Sequence, residues 1–237
     1  MTPAGQMIEE VIRHFEVVPN MTADLFADDT PLAGTVTALG PQAVVLRGFA
    51  LGGMGALWPA LQGVIAQAPF RHMFTPGGQR MSVPLTNCGP LGWTSDRRGY
   101  RYRACDPASD QPWPALPAVF AQLAERAAAA AGFAHFAPDA CLINRYRPGA
   151  RLTLHQDKNE RDFSQPIVSV SLGVPAVFLW GGPRRADRTQ RVPLFHGDVA
   201  VWGGVDRLRF HGVAPIREAA HPLTGDERIN FTFRKAG

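Results

Sequence analysis

The chain has 237 residues, 46% hydrophobic and 19% charged, with a formal net charge of +4. This composition supports a packed core and excludes wholesale disorder. No apolar run approaches the ~18 residues of a membrane span, and residues 1–10 lack both the basic start and the apolar stretch of a secretory signal. Cys88, Cys105 and Cys141 are odd in number and show no Cys-x-x-Cys spacing. That pattern argues against a disulfide framework and against a structural zinc site, so a cytoplasmic protein is expected. All but two of the 24 basic residues are arginine, the exceptions being Lys158 and Lys235. A mildly basic surface of this kind suits a polyanionic partner, and equally suits a chain that simply prefers Arg over Lys.

Residues 1–23 read as an N-terminal extension: Ile8, Val11, Ile12 and Phe15 form an amphipathic stretch, Pro19-Asn20 follows it, and Met21 offers an alternative start. A first helix is predicted over 56–67, after Gly52-Gly53-Met54-Gly55. A second is predicted over 117–131, with Pro117 in its first turn and Gly132 at its C-terminal end. Between them, 70–113 is rich in Gly, Pro and aromatic residues and reads as irregular hairpins and loops. After Phe136, short β-branched runs alternate with turn residues, at 141–146, 151–156, 167–173, 176–180, 191–195, 199–202, 208–213 and 228–234. Such a succession predicts a double-sheet jelly roll within an α+β domain.

The chemistry-bearing residues are placed on these strands. His155-Gln156-Asp157 sets an imidazole and a carboxylate on one face of an extended segment. With a second histidine they would form a facial two-His, one-carboxylate site for Fe(II), leaving positions free for substrate and oxygen. The same spacing recurs in His196-Gly197-Asp198, which reads as a tight turn before the next strand. His196, His211 and His221 are the candidates for the distant ligand, and His211, on a strand, is the best placed. In 228–234, Arg228, Asn230, Thr232 and Arg234 share one face, while Ile229, Phe231 and Phe233 share the other. The polar face is either a solvated surface or the lining of the barrel. Enclosed guanidinium groups need anions, which a dicarboxylate would supply. Asn144 and Tyr146 alternate in the same way and offer neutral hydrogen bonds.

Taken together and in order, Asn144-Arg145-Tyr146, His155-Gln156-Asp157-Lys158, Ser169 through Gly173, His196-Gly197-Asp198-Val199, Trp202-Gly203-Gly204 and Arg228-x-Asn230-x-x-x-Arg234 resemble the AlkB family. Its members are Fe(II)/α-ketoglutarate-dependent dioxygenases that repair alkylated nucleic acid bases. Upstream, Thr75-Pro76-Gly77-Gly78, Thr86-Asn87-Cys88-Gly89, Leu91-Gly92-Trp93-Thr94 and Trp113-Pro114 extend the resemblance over residues 24–237. It implies one dioxygenase domain over 24–237, with a double-stranded β-helix core at about 138–237, flanking helices and a nucleotide-recognition lid at about 70–102.

The resemblance also implies Fe(II) on His155, Asp157 and His211, with O2 and α-ketoglutarate as cosubstrates. Asn144, Tyr146, Arg228, Asn230 and Arg234 would hold α-ketoglutarate, Arg234 on the distal carboxylate and Arg228 near the metal-proximal end. His196 and Asp198 would be structural. Trp93 and the His155 ring would sandwich the damaged base, and Tyr100 would touch the backbone. Arg151, Gln156 and Arg185 would grip the strand, and Thr75 would also contact substrate. Where the family's bacterial archetype has aspartate two residues after the metal-binding Asp, this chain has Asn159, for whose missing charge Glu160 would compensate. The implied substrate is methylated DNA or RNA, single-stranded or with the base flipped out, handled by a monomer away from membranes. Alternative readings of the same residues are a hydroxylase of a small molecule or protein side chain, a non-catalytic nucleic-acid binder of cupin type, and a zinc hydrolase.

Overall fold

The computed structural model describes residues 32–237; the expected extension 1–23 and the expected domain start at 24 lie outside them. In chain order the elements are β1 (Val36–Gly40), β2 (Ala43–Leu46), α1 (Met54–Gln67), β3 (Leu85–Cys88), β4 (Gly92–Asp96), β5 (Gly99–Arg103), α2 (Ala118–Ala130), β6 (Ala140–Tyr146), β7 (Leu152–His155), β8 (Ile167–Gly173), β9 (Ala176–Trp180), β10 (Gln190–Leu194), β11 (Val199–Trp202), β12 (His211–Val213) and β13 (Arg228–Arg234). The large sheet runs β1-β2-β11-β8-β13-β6-β3, the small one β10-β9-β12-β7, and β4-β5 is a separate hairpin. No helix among the described residues is long and apolar enough to cross a membrane.

Period-two alternation gives the large sheet two different faces. Ile143, Val168, Val170, Val199, Val201, Ile229, Phe231 and Phe233 pack under the helices, against Leu57, Leu61 and Val64 of α1 and Phe120, Leu123 and Ala124 of α2. Their neighbours in sequence face the small sheet. Ala43, Val45, Ile167, Ala200 and Trp202 meet Phe178, Trp180, Val192 and Leu194 there, closing one end of the sandwich with a second core. Both faces of β13 are therefore buried. The polar face of this strand lines the space between the sheets, and the solvated-surface reading is excluded.

The helix α2 ends as its sequence indicates. Gly132 takes a positive φ of 89°, and the N–H groups of Phe133 and Gly132 return to the carbonyls of Ala128 and Ala129, a Schellman closure. Helix α1 starts at Met54, earlier than expected, because a 3-10 turn at Leu51–Gly53 feeds directly into it.

Three differences from the expected layout matter. The barrel recruits β1, β2 and β3 from outside 138–237, and β3 lies within the stretch expected to be lid. Leu85–Cys88 is buried on both sides, so it carries no alternation from which a strand could be read. The strand expected at 208–213 shortens to His211–Val213. Its pairing with β7 is irregular there, and the Phe210 N–H and carbonyl turn to Gly182 and Gly181.

Candidate active site

Strand pairing assembles the metal ligands. In β12 and β7, His211 stands directly opposite His155, and the ring centroids are 4.5 Å apart. Each ring uses Nδ1 on a backbone carbonyl two residues earlier: Thr153 for His155 (2.9 Å) and Arg209 for His211 (3.0 Å). A carbonyl only accepts, so Nδ1 carries the proton and Nε2 keeps its lone pair, the tautomer a metal ligand needs. Asp157 follows β7 and turns back between the rings. Its Oδ1 lies 3.8 Å from His155 Nε2 and its Oδ2 3.6 Å from His211 Nε2. The three ligand atoms fall within 4.8 Å of one another. Burial, with His211 alongside, lowers the His155 pKa to about 4, so the ring is neutral at ordinary pH. Burial pushes Asp157 up, but the Arg234 guanidinium outweighs it and holds the carboxylate well below its usual range. The donor set is thus two imidazoles and one carboxylate whose ligand atoms lie close together, which suits a non-haem Fe(II) ion.

Beside it, the inner face of β13 forms a polar wall. Across the register, Arg228 faces Tyr146 and Gly173, Asn230 faces Asn144 and Ser171, and Thr232 faces Leu142 and Ser169. Arg228 donates through one terminal nitrogen to Ser171 Oγ (2.7 Å). Its Nε and Nη1, and Nη1 of Arg234, are buried without a hydrogen-bond partner. Unsatisfied guanidinium donors are costly in an interior, and a dicarboxylate lying along this wall would satisfy both ends. Burial raises the Tyr146 pKa to about 12, leaving a neutral phenol as donor next to Arg228. Asn230 spends its amide nitrogen on Ser169 Oγ and the Val170 carbonyl, and its oxygen on Thr232.

The two arginines stand at different distances from the His-Asp-His cluster. Arg234 donates to Asp157 Oδ2 at 2.8 Å, which makes it the metal-proximal guanidinium. Arg228 sits six positions earlier on the strand, opposite Tyr146. His196 and Asp198 lie outside the metal cluster: Asp198 binds Arg47 and the N–H groups of Gly48 and Phe195, and His196 Nδ1 accepts from Gly173 N–H.

The β4-β5 hairpin stands against the loop that follows Asp157. Asn87, on β3, brackets the Trp93 backbone by donating to its carbonyl and accepting its N–H. The indole stacks on Tyr100 at 5.5 Å and 15°, and its Nε1 donates to Asn159 Oδ1 (3.2 Å). Behind the hairpin Trp113 is buried, its Nε1 on the Arg103 carbonyl. Glu160 is already engaged inside the fold, contrary to the expectation that it would make up for Asn159. It is buried and bound by Tyr102 Oη (2.6 Å) and Arg207 (3.1 Å), with Arg234 at 3.5 Å. The charge missing at Asn159 is therefore not supplied by its neighbour.

The sequence profile of the 2OG-Fe(II) oxygenase superfamily matches residues 43–234. Over 213 residues the chain is 58% identical to the alpha-ketoglutarate-dependent dioxygenase AlkB of Salmonella typhimurium, covering 90% of this chain and 97% of that one. The corresponding protein of Escherichia coli is 55% identical over 214 residues, covering 90% and 98%. The chain belongs to the AlkB family. The solved structure of OsALKBH1 shares its architecture, with a TM-score of 0.74 at 29% identity over 85% of this chain and all of that one.

An AlkB-family chain is an α-ketoglutarate-dependent dioxygenase that uses Fe(II) and O2, and the donor set and the unpaired guanidinium nitrogens described above fit both groups. Among the residues expected to grip a strand, Arg151 and Arg185 are exposed, and Arg185 lies over the Phe210 ring at 6.0 Å. Gln156 donates its amide to the Leu208 carbonyl. Thr75 accepts the Gln79 N–H and closes its own turn. Sequence reasoning overlooked Asn87, Tyr102 and Arg207. Tyr102 shares a strand face with Tyr100 by simple alternation and could have been found that way, whereas nothing local marks Arg207.

Proposed function

We propose that this AlkB-family dioxygenase removes methyl groups from alkylated nucleic acid bases of the N1-methyladenine and N3-methylcytosine type, acting on single strands or flipped-out nucleotides, as a cytoplasmic monomer. The observation that carries the reading is an exposed aromatic hairpin held directly beside the metal-ligand loop. Trp93 and Tyr100 lie on it, and Trp93 is tied to Asn159, two residues after Asp157. A mouse relative, 34% identical over 132 residues, bears the name nucleic acid dioxygenase, which supports the substrate class.

Each side chain has a part in this reading. A base edge that normally pairs is inaccessible in a duplex, so the nucleotide must leave the stack. Trp93 offers one face for it, and the His155 ring, with 33% of its side chain exposed, offers the other. Asn159 presents a carboxamide to the base edge. Arg234, against Asp157, and Arg228, against Tyr146, hold the two ends of α-ketoglutarate. Arg151, Gln156, Arg185 and Thr75 flank the strand. When bound, Fe(II) with O2 and α-ketoglutarate supplies oxidation of an N-methyl C–H bond, yielding succinate, CO2 and a hydroxymethyl base that releases formaldehyde.

Anaerobic reconstitution with Fe(II), followed by O2 and methylated oligonucleotides, tests the proposal. Formaldehyde should appear in step with succinate; succinate without any formaldehyde from DNA or RNA would overturn it. Replacing Trp93 with alanine should weaken single-strand binding by about 1–3 kcal/mol, the worth of one base stacking on an aromatic ring. Fluorescence anisotropy measures this, and α-ketoglutarate binding should be unchanged. Asn159→Asp should shift preference toward cationic methylated bases by restoring a negative charge. Relative kcat/KM values on matched oligonucleotides check that shift, and an unaltered ranking would exclude Asn159 from base selection.

A further inference from the structure

We propose that Tyr102 is a positioning residue that fixes the base-stacking hairpin on the metal-ligand loop and, through Glu160, holds Arg234 toward the cosubstrate. The proposal rests on the reading of Arg234 as an α-ketoglutarate anchor. Trp93 and Tyr102 are direct partners in the β4-β5 register, so they share one face of the hairpin. That face meets two consecutive residues of the loop after Asp157. Trp93 Nε1 donates to Asn159, and Tyr102 Oη donates to Glu160.

The two bonds are unequal. The Trp93 bond is exposed, neutral and 3.2 Å long. The Tyr102 bond is 2.6 Å long, to a carboxylate whose side chain is 2% exposed. Short bonds to a carboxylate are about twice as strong as neutral ones. Tyr102 is therefore the fixed point, and Trp93 the side that can yield when a base enters.

Glu160 carries the connection inward. One oxygen accepts from Arg207, which also binds the Asp157 and Gln165 carbonyls and so ties down the loop. The other accepts the tyrosine O–H and lies 3.5 Å from Arg234 Nε. Arg234 thus stands between two carboxylates and leans on Asp157 at 2.8 Å. With the tyrosine O–H removed, the free lone pair on Glu160 competes for Arg234. The guanidinium then turns from Asp157 and takes its unpaired Nη1 with it.

Tyr102→Phe keeps the ring and removes only the O–H. Calorimetric titration of α-ketoglutarate into the Mn(II)-loaded variant should give a Kd raised about tenfold, the low end for residues that brace a metal site. In the Fe(II) enzyme the oligonucleotide KM should rise while kcat at saturation changes little. The Tyr102→Phe/Glu160→Gln double variant should be no worse than the more damaging single variant, because the two act as one unit. A wild-type Kd in Tyr102→Phe, or fully additive effects, would overturn the proposal. Because that titration contains no nucleic acid, this failure is separate from a failure of base repair, which the formaldehyde assay reports.

Discussion

Replacing Asp157 with asparagine should reduce Fe(II)-dependent succinate formation to background while the chain stays folded. Asp157 supplies the one anionic donor of the metal cluster and lies 3.6–3.8 Å from both imidazole Nε2 atoms. Two histidines without an anionic partner cannot offset the desolvation of a divalent cation, so affinity should fall by more than the 10–100-fold typical of losing a residue that merely supports a ligand. Asparagine keeps the volume and an acceptor for Arg234. Alanine does neither: it leaves a buried guanidinium without its closest partner, at a cost of about 3–5 kcal/mol. The two variants should therefore share the catalytic defect and differ in thermal stability. Metal content after gel filtration, succinate release and thermal denaturation are the measurements. Retained turnover in Asp157→Asn would remove the carboxylate from the ligand set.

The second large effect concerns Arg228, and its two halves have opposite signs. Arg228→Met should raise the KM for α-ketoglutarate roughly 10- to 100-fold, since each hydrogen bond to a charged group contributes about 1.5–3 kcal/mol and 1.4 kcal/mol is tenfold. Apo stability should not fall and should even increase. Burial already lowers the Arg228 pKa to about 10, and two of its nitrogens are buried without partners, so the guanidinium is a cost until an anion arrives. Exchanging such a group for an apolar one of similar length is often neutral or stabilising. Arg228→Lys should lie between, because a point charge cannot reproduce the bidentate fork. Titrations of α-ketoglutarate and melting curves with and without it would check both halves. A lowered apo melting point with unchanged KM would make Arg228 structural and place the dicarboxylate elsewhere.

Much of this site is written locally. The alternation of Arg228, Asn230, Thr232 and Arg234 against Ile229, Phe231 and Phe233 identifies a strand with an unusual polar face. His155-Gln156-Asp157 is a ligand pair because every second residue of an extended chain points the same way. The turn reading of His196-Gly197-Asp198 agrees with an aspartate bound to two backbone N–H groups and Arg47. What was not legible has one common feature, dependence on which distant segment lies opposite. Strand β3 shows no pattern because it is covered on both sides. Glu160 resembles any loop carboxylate until Tyr102, Arg207 and Arg234 are seen around it.

Amino-acid order alone determined the family, the alternating strands, the ligand types and the guanidinium pair, since period-two geometry and short spacings are properties of a single segment. The tertiary structure decided that β13's polar face is enclosed, that Arg234 rather than Arg228 adjoins the His-Asp-His cluster, and that Glu160 is buried against Tyr102 and Arg207. Those outcomes follow from how β7 and β12 align above β13. That alignment depends on how residues far apart in sequence pack together, which no local window of the chain contains.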